Sequence, residues 1–490
     1  MRLVGVVALL LALPALAGCL SPAAVEPNTV PAPVVPTAPL TTYTASGTLL
    51  PVAQGWESLA VRLAVTGFNT GEPSLGVTSD GTIFATGGGA SIIRSRDHGN
   101  TWERVGDALR DPKASLDPWV YVDPVTDRVF NAPLYVACTW AAWSDDGGDS
   151  WDANPFTGCG IPAHDHQKLT AGPPAEGVST SGYPNVLYYS YNSFRDEGTW
   201  ISVSYDGGRT YSVGGSAHPS DCHGGIAGPV AVAPDGTAYS PKPACDGVNI
   251  AVSRDSGASW EVTGKVNNAG IGEALATMTD AAVDSAGNAY VVYPGKDART
   301  YLTRSLDGGK TWTDGVRVSP PDVTSTAFPV VIAGEAGRVA VGYLGTTADA
   351  SKWDSPNPQD ADAKAVWHLY LTFTENATAE DPVFTTLRVT PEDDPVQVGC
   401  IWQSGGSNPC RNLLDFFDMV ERDGRVYLVF ADGCEKCTSA DQSRGRAVAL
   451  AIVETGPSLR TGLLAPLGAE TEAVTEKKNA PATLAGAVWN

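Results

Sequence analysis

The sequence predicts an all-β chain folded as a seven-bladed propeller of four-stranded antiparallel blades, with a six-bladed ring as the alternative. Three observations lead there. An eight-residue phrase, Ser-x-Asp-x-Gly-x-Thr/Ser-aromatic, occurs five times: SRDHGNTW (Ser95 to Trp102), SDDGGDSW (Ser144 to Trp151), SYDGGRTY (Ser204 to Tyr211), SRDSGASW (Ser253 to Trp260) and SLDGGKTW (Ser305 to Trp312). Successive copies begin 49, 60, 49 and 52 residues apart, a period typical of arrays and propellers. Short apolar strands bounded by Gly-containing turns fill the intervals, and two more strand triplets follow the last copy, which makes seven units.

Within the phrase, Asp97, Asp146 (or its neighbour Asp145), Asp206, Asp255 and Asp307 can accept backbone N–H bonds inside a tight turn, while the Gly two positions later allows a positive φ. The result is a stiff hairpin corner. The Thr or Ser and the aromatic residue then start a strand, with the ring free to pack on a neighbouring repeat. The phrase resembles the Asp-box, or BNR repeat, of the sialidase-like β-propellers, with matches over about residues 70 to 320. The resemblance implies a box joining the third and fourth strands of a blade, on the face away from the ligand site. Its aspartates are then structural.

In chain order, Met1 to Gly18 holds one basic residue, Arg2, and the apolar run LVGVVALLLALPALAG, followed by Cys19. The run is short for a membrane span and has the form of an export signal, residues 1–18. Leu16-Ala17-Gly18-Cys19 resembles the lipobox of prokaryotic lipoproteins, which implies lipidation at Cys19; an ordinary secretion signal is the alternative. Residues 19–50, rich in Pro, Ala, Val and Thr, read as an extended stalk. The propeller is expected over residues 51–457 and a low-complexity tail over 458–490.

The first unit supplies PSLGV (Pro73 to Val77), TIFATG (Thr82 to Gly87) and SIIRS (Ser91 to Ser95). The fifth supplies DAAVD, NAYVVY and RTYLTRS between Asp280 and Ser305. Without a box, the sixth has FPVVIAG, GRVAVGYL and VWHLYLTF, and the seventh LLDFFDMV, GRVYLVFA and RAVALAIV. The seventh lacks a fourth strand, whereas SLAVRLAV (Ser58 to Val65) is surplus ahead of the first. Pairing the two would close the ring and leave no long edge exposed.

Eight cysteines besides Cys19 fall into local pairs, suggesting bridges Cys138–Cys159, Cys222–Cys245, Cys400–Cys410 and Cys434–Cys437, as an oxidising compartment favours. A zinc site of Cys400, Cys410, Cys434 and Cys437 is the alternative, because CEKC has metal-like spacing. With 32 basic against 54 acidic residues the net charge is −22, which repels nucleic acid and anionic lipid. Membrane contact is therefore expected through the lipid anchor only, and the chain is read as a monomer. The same charge could attract calcium or a basic partner.

In a propeller the starts of the first strands converge on the channel mouth, so candidate ligand-binding residues are sought there. They are Glu72, Asp117, Asp165, His166, Asp280, Asp415 and Asp418, with His164 and His223 in the same class. Strand-end caps are the bland role, and a cation or sugar site the functional one. In HDH, strict strand alternation sets Asp165 opposite His164 and His166, which disfavours a three-residue metal set.

Sialidase chemistry, which the resemblance implies, needs three arginines on the substrate carboxylate, a Tyr nucleophile assisted by Glu, and an Asp acid/base. The first arginine normally stands in a Phe/Tyr-Arg-Ile-Pro phrase, where this chain has FNTGEPSLG (Phe68 to Gly76). Arg195, Arg299 and Arg411 give no convincing triad, and Tyr189 or Tyr191 reads as strand packing. No catalytic residue is carried over. The sequence therefore points to a surface propeller binding a glycan, peptide or protein on its channel face, with an exo-acting glycoside hydrolase using channel carboxylates as the alternative and a lyase on the same scaffold as a further one.

Overall fold

The computed structural model describes residues 39–88, 91–105, 119–135, 138–154, 164–193, 198–218, 225–244, 247–266, 279–348, 364–403, 406–439, 442 and 445–467. The export signal, Cys19 and the stalk to residue 38, Asp117, Cys159, Cys222, His223, Cys245 and the tail beyond residue 467 lie outside the described residues.

Seven antiparallel sheets follow one another around a hub. Blade 1 is Leu75–Val77, Ile83–Thr86, Ile92–Ser95 and Glu103–Val105; blade 2 is Val120–Val122, Val129–Asn131, Ala141–Ser144 and Asp152–Asn154. Blade 3 is His164–Gly172, Val186–Ser193, Thr199–Ser204 and Gly215–Ser216; blade 4 is Ala231–Val232, Ala238–Ala244, Gly247–Ser253 and Glu261–Val266. Blade 5 is Asp280–Val283, Ala289–Pro294, Thr300–Ser305 and Val316–Arg317; blade 6 is Ser325–Ala333, Val339–Thr346, Val366–Thr374 and Val383–Arg388. Blade 7 takes Asp418–Arg422, Arg425–Asp432 and Ala447–Thr455 from the end of the chain. Its fourth strand, Ala60–Asn69, comes from the beginning and pairs antiparallel from Ala60 opposite Thr455 to Asn69 opposite Ala447, with register shifts between Ala60 and Val61 and between Val65 and Asn69. This is the closure expected from SLAVRLAV, and the first strands of successive blades touch all the way round, blade 7 meeting blade 1.

Two domain boundaries differ from the sequence reading. The segment expected to finish the stalk instead forms Leu40–Thr44 and Leu49–Leu50, which extend blade 6 beyond Val383–Arg388. Its anchor is Tyr43, 1% exposed, whose hydroxyl donates to the Val318 carbonyl and lies 2.8 Å from Thr386 Oγ1. Pro and Thr content hid this strand, because pairing on an exposed edge needs no long apolar run. At the other end, residues 458–467 fold back on the ring rather than starting the tail, with Leu459 buried and the Arg338 guanidinium donating to Ser458 O at 2.8 Å.

The blades stick through mixed apolar layers. Leu75, Val77, Ile83 and Ile93 of blade 1 pack with Tyr427, Val429, Leu450 and Ile452 of blade 7, and each buried aliphatic side chain contributes about 1.5–3 kcal/mol. Near the hub the fit leaves no room for side chains at some positions: a Cβ on Gly228 would stand 2.0 Å from the Thr279 carbonyl oxygen of the next blade.

All five repeated corners are built alike. Ser204 Oγ donates to Asp206 Oδ1 at 2.8 Å, Gly208 N donates to Ser204 Oγ at 2.9 Å, and Thr210 gives its N–H and hydroxyl to the two Asp206 oxygens at 2.9 and 2.6 Å. The same pattern recurs at Asp97, Asp146, Asp255 and Asp307. In the second corner the turn aspartate is Asp146, while Asp145 pairs with the Arg128 guanidinium.

Each corner also rests on the blade before it. The Gly of the corner, at φ between 83° and 95° where its value is Gly99 88°, Gly148 90°, Gly208 95°, Gly257 83° and near these at Gly309 78°, faces side chains of the preceding blade. From that blade a side chain donates to a corner carbonyl: Arg62 to His98, Arg94 to Gly147, Arg128 to Gly207 at 2.8 Å, Tyr205 to Ser256 at 3.2 Å and Arg254 to Gly308 at 2.8 Å.

The hydrogen bonds hold the corner carboxyls low. At Asp146 and Asp307 the pKa falls to about 2, with the hydroxyl and N–H of Ser150 and Thr311 as the leading causes. A depressed carboxyl contributes stability above its ordinary value near 3.8 and loses it as pH falls through about 2. Asp206→Ala is expected to cost about 1–2 kcal/mol at pH 7. The gap between variant and parent should close as pH is lowered from 5 to 2, measured by urea denaturation, and a pH-independent gap would contradict this account.

Candidate functional site at the channel mouth

The first strands begin on the face opposite the corners, and strained backbone gathers there. Of the ten non-glycine residues with positive φ among the described residues, Glu72 (55°), His166 (49°), Phe328 (54°) and Leu414 (63°) all sit at hub entries, in blades 1, 3, 6 and 7. Such conformations cost about 1–3 kcal/mol each and persist where the surroundings hold them. In blades 3 and 6 the cause is a register shift, between Asp165 and Lys168 and between Ala327 and Val330. A bulge re-aims the side chains that follow it, so the strict alternation assumed for HDH does not hold through His166.

Three of the sequence-selected residues meet. Glu72, His166 and Asp415 are buried, and each offers a ligand atom within 4.8 Å of the others. His166 Nε2 lies 3.2 Å from Asp415 Oδ2 and 3.7 Å from Asp165 Oδ2. Arg411 joins them: its Nε donates to Asp415 Oδ1 at 3.1 Å, its Nη2 pairs with Asp415 Oδ2, and Nη2 is 3.9 Å from Glu72 Oε1. Burial acts to raise the Asp415 carboxyl, but the hydrogen bonds and charges of His166 and Arg411 outweigh it and hold the group below its usual range. The cluster offers one nitrogen and two carboxylates, with a guanidinium already against it. That set does not suit calcium, which takes six to eight oxygens; a softer divalent ion fits the donor types better, in competition with Arg411.

Asp280 and Asp418 lie deeper, at the heads of blades 5 and 7, and tie each blade to the next. Asp280 accepts from Val331 N at 2.8 Å and Asp418 from Leu75 N at 2.9 Å. Ser74 Oγ plays the same part between blades 1 and 2, accepting from Val120 N at 2.8 Å. Burial pushes both carboxyls up to about 7, opposed by those backbone N–H groups and by the charge of Lys168. Lys168 itself is buried, its Nζ 4.1 Å from the Trp119 ring centre and over the face of Phe416. With Phe328 and Phe417 these rings narrow the bore to a void of about 10 Å³, roughly one water.

Sequence reasoning did not single out Lys168, because it follows four polar residues in HDHQKLTAG and reads as part of a polar strand start. Arg411 entered there only among the arginines that give no convincing triad. Neither Trp119 nor Phe416 carried a signal, since aromatic residues are ordinary in strands. Arg299 is held in a separate ion pair with Asp297 at 3.1 Å. Tyr189 and Tyr191 are buried and pack on each other, ring centres 5.5 Å apart. The side chain of His164 and both Asp117 and His223 lie outside the described residues. Cys400–Cys410 and Cys434–Cys437 are disulfides, so these four sulfurs do not form the alternative zinc site.

No family model and no curated protein matches the chain. Solved structures do resemble it in chain path. The BP39L lectin from Burkholderia pseudomallei aligns at 10% identity over 89% of this chain and 99% of its own, with a TM-score of 0.48. A leech intramolecular trans-sialidase aligns at 14% identity over 79% and 68%, TM-score 0.40. A Dyadobacter fermentans protein of unknown function aligns at 14% identity over 82% and 99%, TM-score 0.41. The seven-bladed description rests on the sheets themselves.

A carboxyl whose folded pKa is raised lends its stability below the unfolded value near 3.8 and loses it as pH rises through about 7. Asp280→Asn removes that dependence while keeping one acceptor. Its stability relative to the parent should therefore climb between pH 4 and pH 7 in denaturant titrations, and a flat difference would show that Asp280 titrates normally.

Proposed function

We propose that this is an exported propeller, tethered outside a prokaryotic cell by a lipid on Cys19 and a stalk, that binds a neutral glycan at its channel face. One arrangement carries the reading. In the described cluster around Asp415 the charges that keep some exposure are a donor and an acceptor from different blades: the Arg411 and Asp165 side chains retain 22% and 26% of their exposure, whereas Asp415 and Glu72 retain 2% and 0%. The buried carboxylates fix the guanidinium in advance, so little freedom is lost when a ligand arrives. A fixed donor and a carboxylate acceptor suit sugar hydroxyls. For the charge of an anionic sugar these hub residues offer Arg411 and the buried His166 and Lys168, set among the carboxylates of Glu72, Asp165 and Asp415. The repeated corner is then the Asp-box, a mechanical part on the far face.

The alternative, an exo-acting glycoside hydrolase, draws support from Asp280 and Asp418, because an acid catalyst must keep its proton near neutrality. Both face the narrow bore, where space for about one water leaves no berth for a sugar ring.

On a glycan array, the parent protein should retain neutral glycans, and Arg411→Ala or Asp165→Ala should weaken the best of them at least tenfold by calorimetry, while Asp206→Ala should not. Retention of peptides alone, or binding indifferent to both hub substitutions, would overturn the placement. For the anchor, Cys19→Ser should move the protein from the membrane fraction to the medium; unchanged fractionation would contradict lipidation.

A further inference from the structure

Blade 7 carries a second feature on the channel face, independent of the glycan reading. Between Arg425–Asp432 and Ala447–Thr455, Cys434 and Cys437 are joined across a sequence separation of 3, against 10 for Cys400 and Cys410. A cross-link that spans so few residues restricts the unfolded chain least, and so adds least to stability. It is also poorly explained as a staple. Both cysteines line an open pocket of about 770 Å³ between blade 7 and the loop that follows blade 6, with Phe430, Asp394 and Asp432.

The surroundings suit sulfur that changes state. The backbone N–H of Cys437 donates to Cys434 Sγ at 3.0 Å, a contact that stabilises negative charge on that sulfur once the bond opens. Asp432 accepts from Cys434 N at 3.0 Å and lines the same pocket. Burial, then the charges of Asp394 and Glu435, keeps its carboxyl well above the usual range.

We propose that Cys434–Cys437 is a thiol–disulfide exchange centre that oxidises a dithiol segment of a peptide or protein entering this pocket. A partner thiolate attacks Cys437 Sγ; a mixed disulfide forms, the Cys434–Cys437 bond breaks, and Cys434 departs as a thiolate held by the Cys437 N–H. The second partner thiol then attacks the partner's own sulfur in the mixed disulfide, and Cys437 departs. Two electrons and two protons leave the partner, which becomes a disulfide, and appear as the two thiols of Cys434 and Cys437.

The test uses the full chain and a fluorescent peptide containing two thiols. The parent should oxidise about one equivalent of peptide. The double variant Cys434→Ser/Cys437→Ser should leave the peptide reduced. Because that variant could misfold, the parent is also equilibrated in graded glutathione buffers, alkylated and read by mass spectrometry. Cys434–Cys437 should open at a more oxidising poise than Cys400–Cys410. Peptide that stays reduced with the parent, equal oxidation by the double variant, or the two bridges opening together would each make Cys434–Cys437 a structural bridge only.

Discussion

The structure depends on one contact repeated at five of the seven blade junctions: a donor on one blade reaches the carbonyls of the next blade's corner, and the corner glycine presses on the donor's own sheet. Arg62, Arg94, Arg128, Tyr205 and Arg254 are the donors. A corner shaped by its Asp side chain presents its carbonyls outward and fixed, so each guanidinium meets a prepared acceptor instead of ordering a loose turn. Charge-assisted bonds of this kind are worth about 1.5–3 kcal/mol each. Arg62 gives the series its closing step, because it lies on the strand contributed by the start of the chain and grips the corner of blade 1. The ring is thus shut twice, by strand pairing within blade 7 and by a side-chain clamp to its neighbour.

Much of this was legible beforehand because it is local. Ser, Asp, Gly and Thr/Ser at fixed offsets specify a turn whatever surrounds it, and a turn every fifty residues or so specifies an array. The surplus strand at Ala60–Asn69 was readable by subtraction, once the seventh unit was seen to lack a partner. What the sequence concealed is set by distant packing. Leu40–Thr44 looks like linker because its burial comes from Thr42 and Tyr43 alone, and residues 458–467 look like tail because their partners, Arg338 and Gly424 to Arg425, lie in strand turns tens of positions or more away.

The hub divides along the same line. Strand-start positions could be chosen from the order of elements alone, and Glu72, His166 and Asp415 do come together there. How they meet could not be read, because it turns on a bulge that aims His166 and on a guanidinium from another loop. The two faces therefore do different work: the corner face is built from repeated, interchangeable parts, while the hub face is built from residues that occur once and carry buried charge and raised carboxyls. Unlike charged parts collected on one face mark it as the one where a ligand is met.

The claim beneath all of this is that the ring is one cooperative body sealed by its first strand. Native-state hydrogen exchange, read amide by amide at low denaturant, tests it most directly. If the account holds, amides of residues 60–69 exchange in the slowest class, with the same opening free energy as those of residues 447–455 and of the second strands of blades 1 and 4. Faster, independent exchange of residues 60–69 would mean that the strand merely lies on a ring already closed without it.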